Sequence, residues 1–239
     1  MQIEVCASTL NSVVHAKQAG AHRVELCTEL GLGGLTPSFG MINQALLLDF
    51  PIHVLIRPRS GHFVYSNHEI KMMFDDIVQC KELGCAGVVV GVLSEDYDLA
   101  HQVLATMVKL ADPMQITFHR AFDLVKDPQK SLETLIDLGF TRILTSGQKN
   151  MALDGLALLQ NLLEWSDSRI QIMPGGGINL DNCLVFKEAG FKHLHFSGFK
   201  SLPLYALPTH LKTSFSFLEQ PVGHSDLDFL QKMKEKLTD

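Results

Sequence analysis

The stretch AGAHRVELCTELGLGGLTPS, residues Ala19 to Ser38, decides the fold. Gly20 suits a helix stop in the left-handed conformation, HRVELC follows as a short strand, and Gly31, Gly33 and Gly34 open a loop. Within the strand Val24 and Leu26 alternate with Arg23, Glu25 and Cys27, so one face is apolar and the other carries reactive groups. Such a strand is a stave of a barrel, with helices outside and chemistry inside.

The unit recurs as LGCAGVVVG from Leu83, LGFTRILTSG from Leu138 and AGFKHLHFSG from Ala189. Successive glycines at 20, 84, 139 and 190 lie 64, 55 and 51 positions apart. Each interval is about twice the roughly 30 residues of a strand-plus-helix unit, so another strand belongs with each. Ile52–Arg57, Gln115–His119 and Ile170–Pro174 supply them, and Ile3–Cys6 precedes the first glycine. Apolar-periodic runs separate the strands: Leu10–Gln18, Phe39–Leu48, His68–Leu83, Leu99–Leu110, Pro128–Leu138, Leu153–Trp165 and Leu180–Ala189. The expectation is an α/β fold, a TIM-type (β/α)8 barrel of parallel strands. A doubly wound open sheet also alternates, but eight short, evenly spaced units favour closure.

The expectation is one domain over residues 1–239, its strands within about 2–198, followed by an extension over 199–239. Phe199–His224 holds Pro203, Pro208 and Pro221 and reads as an irregular connection, a candidate for a subunit interface. Leu227, Leu230 and Met233 then suggest a closing helix after Ser225 as its cap.

At 239 residues the chain can bury a sizeable core, and 46% hydrophobic with 19% charged residues is a globular balance. The net charge of -6 excludes a general nucleic-acid binder, which needs a cationic surface. MQIEVCAS at the start reads as a strand, not a basic leader, and no apolar run is long enough to cross a bilayer. A soluble cytoplasmic protein with no membrane partner is the simplest expectation. Five cysteines without a CxxC pair suit reduced thiols, with Cys80 and Cys85 as packing residues.

Parity along each strand predicts which side chains meet inside the barrel. Glu4 and Cys6 point inward on strand one, Arg23, Glu25 and Cys27 on strand two, and Arg57 on strand three. Strand five gives Thr117 and His119, strand seven Gln171 and Met173, and strand eight His193, His195 and Ser197; strands four and six carry fewer charges. Barrel chemistry sits at the C-terminal strand ends, which favours Cys6, Cys27, Arg57, His119, Met173, Ser197 and His195. Glu4, Arg23 and His193 come early and belong to a structural layer.

Three readings of the late layer remain open. Cys6, Cys27 and His195 on adjacent staves form a soft-metal site suited to copper(I) or zinc, with Met173 offering a thioether. Against it, a buried cysteine is commonly a small hydrophobe. Alternatively, Gly175, Gly176 and Gly177, Ser146 in LTSG, Ser197, Arg57 and Arg59 cradle a small anionic or phosphorylated substrate, with Glu25, His119 and Asp123 as acid and base. The bland counterpart is that GGG merely turns the chain while Arg57 pairs with Glu25. Third, the pocket serves a non-catalytic binding protein. His62, Tyr65 and His68 are further residues of the loop after strand three, His68 reading as solvated.

EVCA at Glu4, ELC at Glu25, GGLTPS at Gly33, IRPR at Ile56, FVYS at Phe63, TFHRAFD at Thr117, LTSG at Leu144 and MPGGGI at Met173 together resemble the CutC family, the copper homeostasis proteins. The resemblance runs in order from Glu4 to about Ser197. It implies a TIM-type barrel, a cytoplasmic place, self-association as a dimer or tetramer, and a copper(I) role with Cys6 and Cys27 as ligands. Two departures stand out. Ser60-Gly61-His62 replaces a glycine-glycine-aspartate run, and Gly198, Phe199 and Lys200 follow Ser197 where the family tends to have an arginine. The second weakens an anion site built on that guanidinium, with Lys200 a less directional substitute.

Overall fold

Alternating apolar and polar segments fold as the repeat demands. The computed structural model describes residues 1–203, 210 and 221–238. Eight strands, β1 Gln2–Ala7, β2 Arg23–Leu26, β3 Ile52–Leu55, β4 Gly87–Val90, β5 Gln115–Phe118, β6 Arg142–Thr145, β7 Gln171–Pro174 and β8 His193–Phe196, run parallel in one sheet. The order β7-β6-β5-β4-β3-β2-β1-β8 wraps around, and a bridge between Gly175 and His195 joins its two ends. This is the TIM-type barrel the repeat predicts.

Helices α1 Leu10–Gln18, α2 Phe39–Leu46, α3 Asn67–Glu82, α4 His101–Ala111, α5 Pro128–Leu138, α6 Leu156–Ser166 and α7 Cys183–Glu188 occupy the connections between successive strands. Their starts follow local chemistry. The Thr9 hydroxyl accepts the Ser12 N–H at α1, and Ser66 with Glu69 forms a reciprocal cap at α3. Their ends follow the repeat: Gly20, Gly84, Gly139 and Gly190 all have positive φ, between 73° and 93°. Val24, Leu26, Val54, Val88, Phe118 and Ile143 form the outer strand faces and pack into the main core. Leu55, Val89, Cys6 and Cys27 form a second, small apolar cluster with Leu30.

The C-terminal expectation needs two corrections. The ends of the predicted irregular connection are paired: β9 Phe199–Ser201 and β10 Gly223–Ser225 form an antiparallel ladder. Residues 204–209 and 211–220 lie outside the described residues. The closing helix α8, Leu227–Thr238, is capped not by Ser225 but by Asp226, whose Oδ1 accepts the Phe229 N–H at 2.9 Å. Ser225 faces α1 instead: its N–H donates to Ser12 Oγ, and its carbonyl lies 2.7 Å from His15 Nδ1.

Candidate functional site

A cavity of about 260 Å³ lies at the C-terminal ends of the strands. Its polar wall comes from Cys6, Glu25, Arg57, His119, Arg120 and His195, and its floor and sides include Leu55, Leu144 and Phe196. Cys6 on β1 pairs in register with Glu25 on β2, and Glu4 pairs with both Arg23 and His195. Parallel pairing therefore stacks two charged layers, one above the other, between three adjacent staves.

Glu4 is fully buried at the centre of the lower layer, and its neighbour His195 reaches up to the next. It accepts from Arg23 Nε at 2.5 Å and lies 2.9 Å from His195 Nδ1. Burial opposes its ionisation, but Arg23 and His195 outweigh that and hold its carboxyl well below the ordinary range. The other nitrogen of His195, Nε2, is 3.5 Å from Glu25 Oε2. Burial raises the Glu25 pKa despite His195. On His195 burial acts downward, yet Glu25 and Glu4 raise it overall. The chain Glu4, His195, Glu25 thus links a fixed anion to a carboxyl that holds its proton more tightly, through an imidazole able to carry charge.

Cys6, Glu25 and His195 place one ligand atom each within 4.8 Å of one another, a candidate metal cluster. Cys27 stands outside that group but touches Cys6, Sγ to Sγ 3.7 Å. The hydrogen bond with Cys27, together with burial, pushes the Cys6 thiol well up.

Across the cavity, His119 follows β5 and lies over Gly91, where an added Cβ would stand 2.2 Å from its Cε1. Only glycine leaves room for the ring. Its Nδ1 accepts the Ala121 N–H at 3.1 Å, and its buried Nε2 has no partner. Burial, then the charge of Arg57, lowers its pKa to about 3, so it is a neutral imidazole with a free Nε2–H at the cavity. Phe63 packs on it at 4.7 Å between ring centroids.

The sequence candidates therefore separate. Cys6, Glu25, Arg57, His119, Gly176, Gly177, His195 and Ser197 share the cavity wall. Cys27 sits behind Cys6, and Gly175 is used in barrel closure through its bridge to His195, while its N–H extends the β6–β7 pairing to the Thr145 carbonyl. The amides of Gly176 and Gly177 have no acceptor among the described residues. Arg57 does not pair with Glu25. It donates to the carbonyls of Leu32, Gly34 and Gly61, tying two loops together, while its buried Nε is unpartnered. Arg59 turns away to Glu69 and to the carbonyls of Ser60, His62 and Val64. Asp123 is saturated by Thr145 Oγ1, the Ser146 and Gln148 amides, Ser146 Oγ and Arg120 Nε. Ser146 completes that anchor. Lys200 pairs with Asp226 and lies outside the cavity wall.

Arg120 is the wall residue that parity along strands misses, because it lies past the end of β5 in a 3-10 turn, Arg120–Leu124. Asp123 at i+3 and Ser146 Oγ at 2.7 Å hold its guanidinium at the rim. Met173, the expected thioether, instead accepts from Arg23 Nη2 at 3.2 Å.

The model of the CutC family matches residues 1–200. A CutC family protein of Pasteurella multocida is 46% identical over 212 residues, covering 88% of this chain and 86% of that protein. The human copper homeostasis protein cutC homolog is 43% identical over 198 residues, 82% of this chain and 72% of its own length. The crystal structure of the copper homeostasis protein CutC from Streptococcus agalactiae superposes with a TM-score of 0.79 at 33% identity, covering 82% of this chain and 98% of that one.

Proposed function

Because the chain belongs to the CutC family, we propose that it serves copper homeostasis by binding one copper(I) ion between Cys6 and Cys27, with His195 as the third donor. The observation that carries this reading is the 3.7 Å contact between two buried thiols at the ends of adjacent strands. Thiolate and imidazole are soft donors that suit copper(I), and an apolar nest of Leu55 and Val89 around the sulfurs favours the reduced ion. Glu4 supports the third donor: by holding His195 Nδ1 it leaves Nε2 facing Cys6 and Glu25, the usual outer-shell pattern of a metal-binding histidine. Both thiols must lose their protons on binding, and Glu25, beside Cys6, is placed to accept one. Five unpaired thiols support a reducing, cytoplasmic setting. X-ray absorption at the copper edge tests the site. Two sulfur scatterers and one nitrogen are expected, and a shell of nitrogen and oxygen alone contradicts it.

A second reading rests on a different observation, the unpartnered Nε2 of His119 and Nε of Arg57 at a cavity larger than one ion needs. These donors, Arg120 and the Gly176 and Gly177 amides suit a small anionic or phosphorylated molecule, with Glu25 and His195 exchanging protons. Under this reading Asp123 is an anchor for Arg120 rather than an acid. Crystals grown with phosphate should hold it against His119 and the glycine amides. An empty wall at saturating phosphate counts against this reading and leaves the copper reading untouched.

A further inference from the structure

The opposite, N-terminal end of the barrel contains a second cavity of about 550 Å³, lined by Arg23, His53, Gln115, Arg142, Gln171 and His193. Arg142 on β6 is 2% exposed. It donates to Gln171 Oε1 at 3.2 Å, Thr117 Oγ1 at 3.1 Å and Gln115 Oε1 at 2.8 Å, and its Nη1 lies 3.4 Å from His53 Nδ1. Every one of these partners is neutral: His53 is buried and its pKa falls to about 3, from burial first and despite the pull of Glu4. Among the described residues no carboxylate pairs with Arg142.

The neighbouring guanidinium does have its counterion. Arg23 spends Nε on Glu4 and Nη2 on Met173 Sδ, while its Nη1 has no acceptor among the described residues. Two buried guanidinium groups therefore share one carboxylate, and Glu4 also serves His195. Burial first, and then the charge of Arg23, lowers the pKa of Arg142 to about 10, reporting the same positive field. The fourth wall of the cavity adds His193 on β8, whose buried Nδ1 is unpartnered. The space itself is built in: a Cβ at Gly87 would stand 2.5 Å from His53 Nδ1, so glycine there lets the imidazole cross β4 toward Arg142.

An unmatched buried cation is costly, and a protein that keeps one beside a cavity and an unused donor offers a seat for a counterion. Arg142 on β6, Arg23 on β2 and His193 on β8 line it from three staves, a donor set that suits an oxyanion. We propose that this floor cavity binds one small divalent oxyanion of the sulfate or phosphate class, held by Arg142, Arg23 Nη1 and His193 Nδ1. The site lies across the barrel from the thiols and uses none of the proposed copper ligands.

Isothermal titration of the full chain with inorganic sulfate in chloride-free, low-salt buffer tests it. One saturable site per chain is expected, kept in the Cys6→Ser/Cys27→Ser and Arg120→Gln variants. Arg142→Gln should weaken sulfate at least about tenfold, from loss of a charge-assisted hydrogen bond. Glycerol 3-phosphate distinguishes two sources: tighter binding than inorganic phosphate identifies the phosphate end of an organic ligand, and equal or weaker binding identifies the free ion. Should Arg142→Gln fail to fold, crystals of the unaltered protein soaked in selenate must show an anomalous peak within hydrogen-bond reach of Arg142. No saturable sulfate binding, unchanged affinity in Arg142→Gln, or no such peak overturns the proposal.

Discussion

Replacing Glu4 by Gln removes one charge with almost no change of shape, and the structure sets what this costs. Glu4 is fully buried and holds Arg23 at 2.5 Å and His195 at 2.9 Å. The amide keeps one acceptor, but the buried Arg23 and Arg142 are then left without the one carboxylate whose charge acts on both. Breaking a buried pair by removing one partner costs roughly 3–5 kcal/mol. For a chain of this size each kcal/mol moves the melting temperature by about 2–4 °C, so Glu4→Gln should lower it by roughly 6–20 °C at pH 7. The pH dependence has a definite sign. Because the Glu4 pKa is depressed on folding from its ordinary 4.5, its contribution is full above that value and disappears as pH falls through the folded pKa. The gap between the two proteins should hold from pH 5 to 8 and narrow in acid. Adding Arg23→Met should recover stability, since both members of the pair are then gone. Differential scanning calorimetry reads all three proteins. A Glu4→Gln melting point within 2 °C of the unaltered protein, or no recovery in the double variant, refutes the reasoning about the charged floor.

His119 should stay neutral from pH 8 to pH 5, with constant ring shifts in NMR; a titration midpoint near 6.5 contradicts its burial beside Arg57. Because His53 and His119 are buried with pKa values lowered to about 3, unfolding should become easier as pH falls below about 6.5, when the unfolded imidazoles take up protons that the folded ones refuse; urea midpoints at pH 7.5 and 5 measure it. Copper(I) affinity should rise with pH, about tenfold per unit for each thiol proton displaced, because Cys6 starts well above its ordinary pKa; competition titrations at three pH values read the slope, and a flat profile excludes thiol displacement. Asp226→Ala removes the cap of α8 and the Lys200 ion pair, and should cost about 0.5–2 kcal/mol in urea denaturation.

The barrel was legible because its signal repeats. Each of Gly20, Gly84, Gly139 and Gly190 closes a helix before a strand, and a pattern stated four times survives ambiguity in any one copy. Parity also placed Glu4, Cys6, Glu25 and His195 inside, since it depends only on the two-residue period of a strand. Where strands end, that rule ends. Cys27, Arg57, His119 and Arg120 all lie past the last paired residue of their strands. Arg57 and His119 still reach the cavity wall where parity points them, but loop hydrogen bonds fix their directions and bring in Arg120, which parity does not reach. Arg59 and Asp123 turned to local partners for the same reason, Arg59 to Glu69 and Asp123 to the Ser146 loop. Parity applied to β6 does point Arg142 inward, but a strand judged by its apolar majority hides a single charge. Contacts between layers, such as His195 reaching Glu25, come from side-chain length and leave no period in the sequence.

The central claim is that the paired thiols at the barrel mouth bind copper(I). Anaerobic titration of the reduced protein against a chelator of known affinity, with and without Cys6→Ser/Cys27→Ser, tests it most directly. One tight equivalent, lost in the double variant while the melting point is kept, is the predicted result. Binding that is weak, or unchanged without the two thiols, would contradict the account.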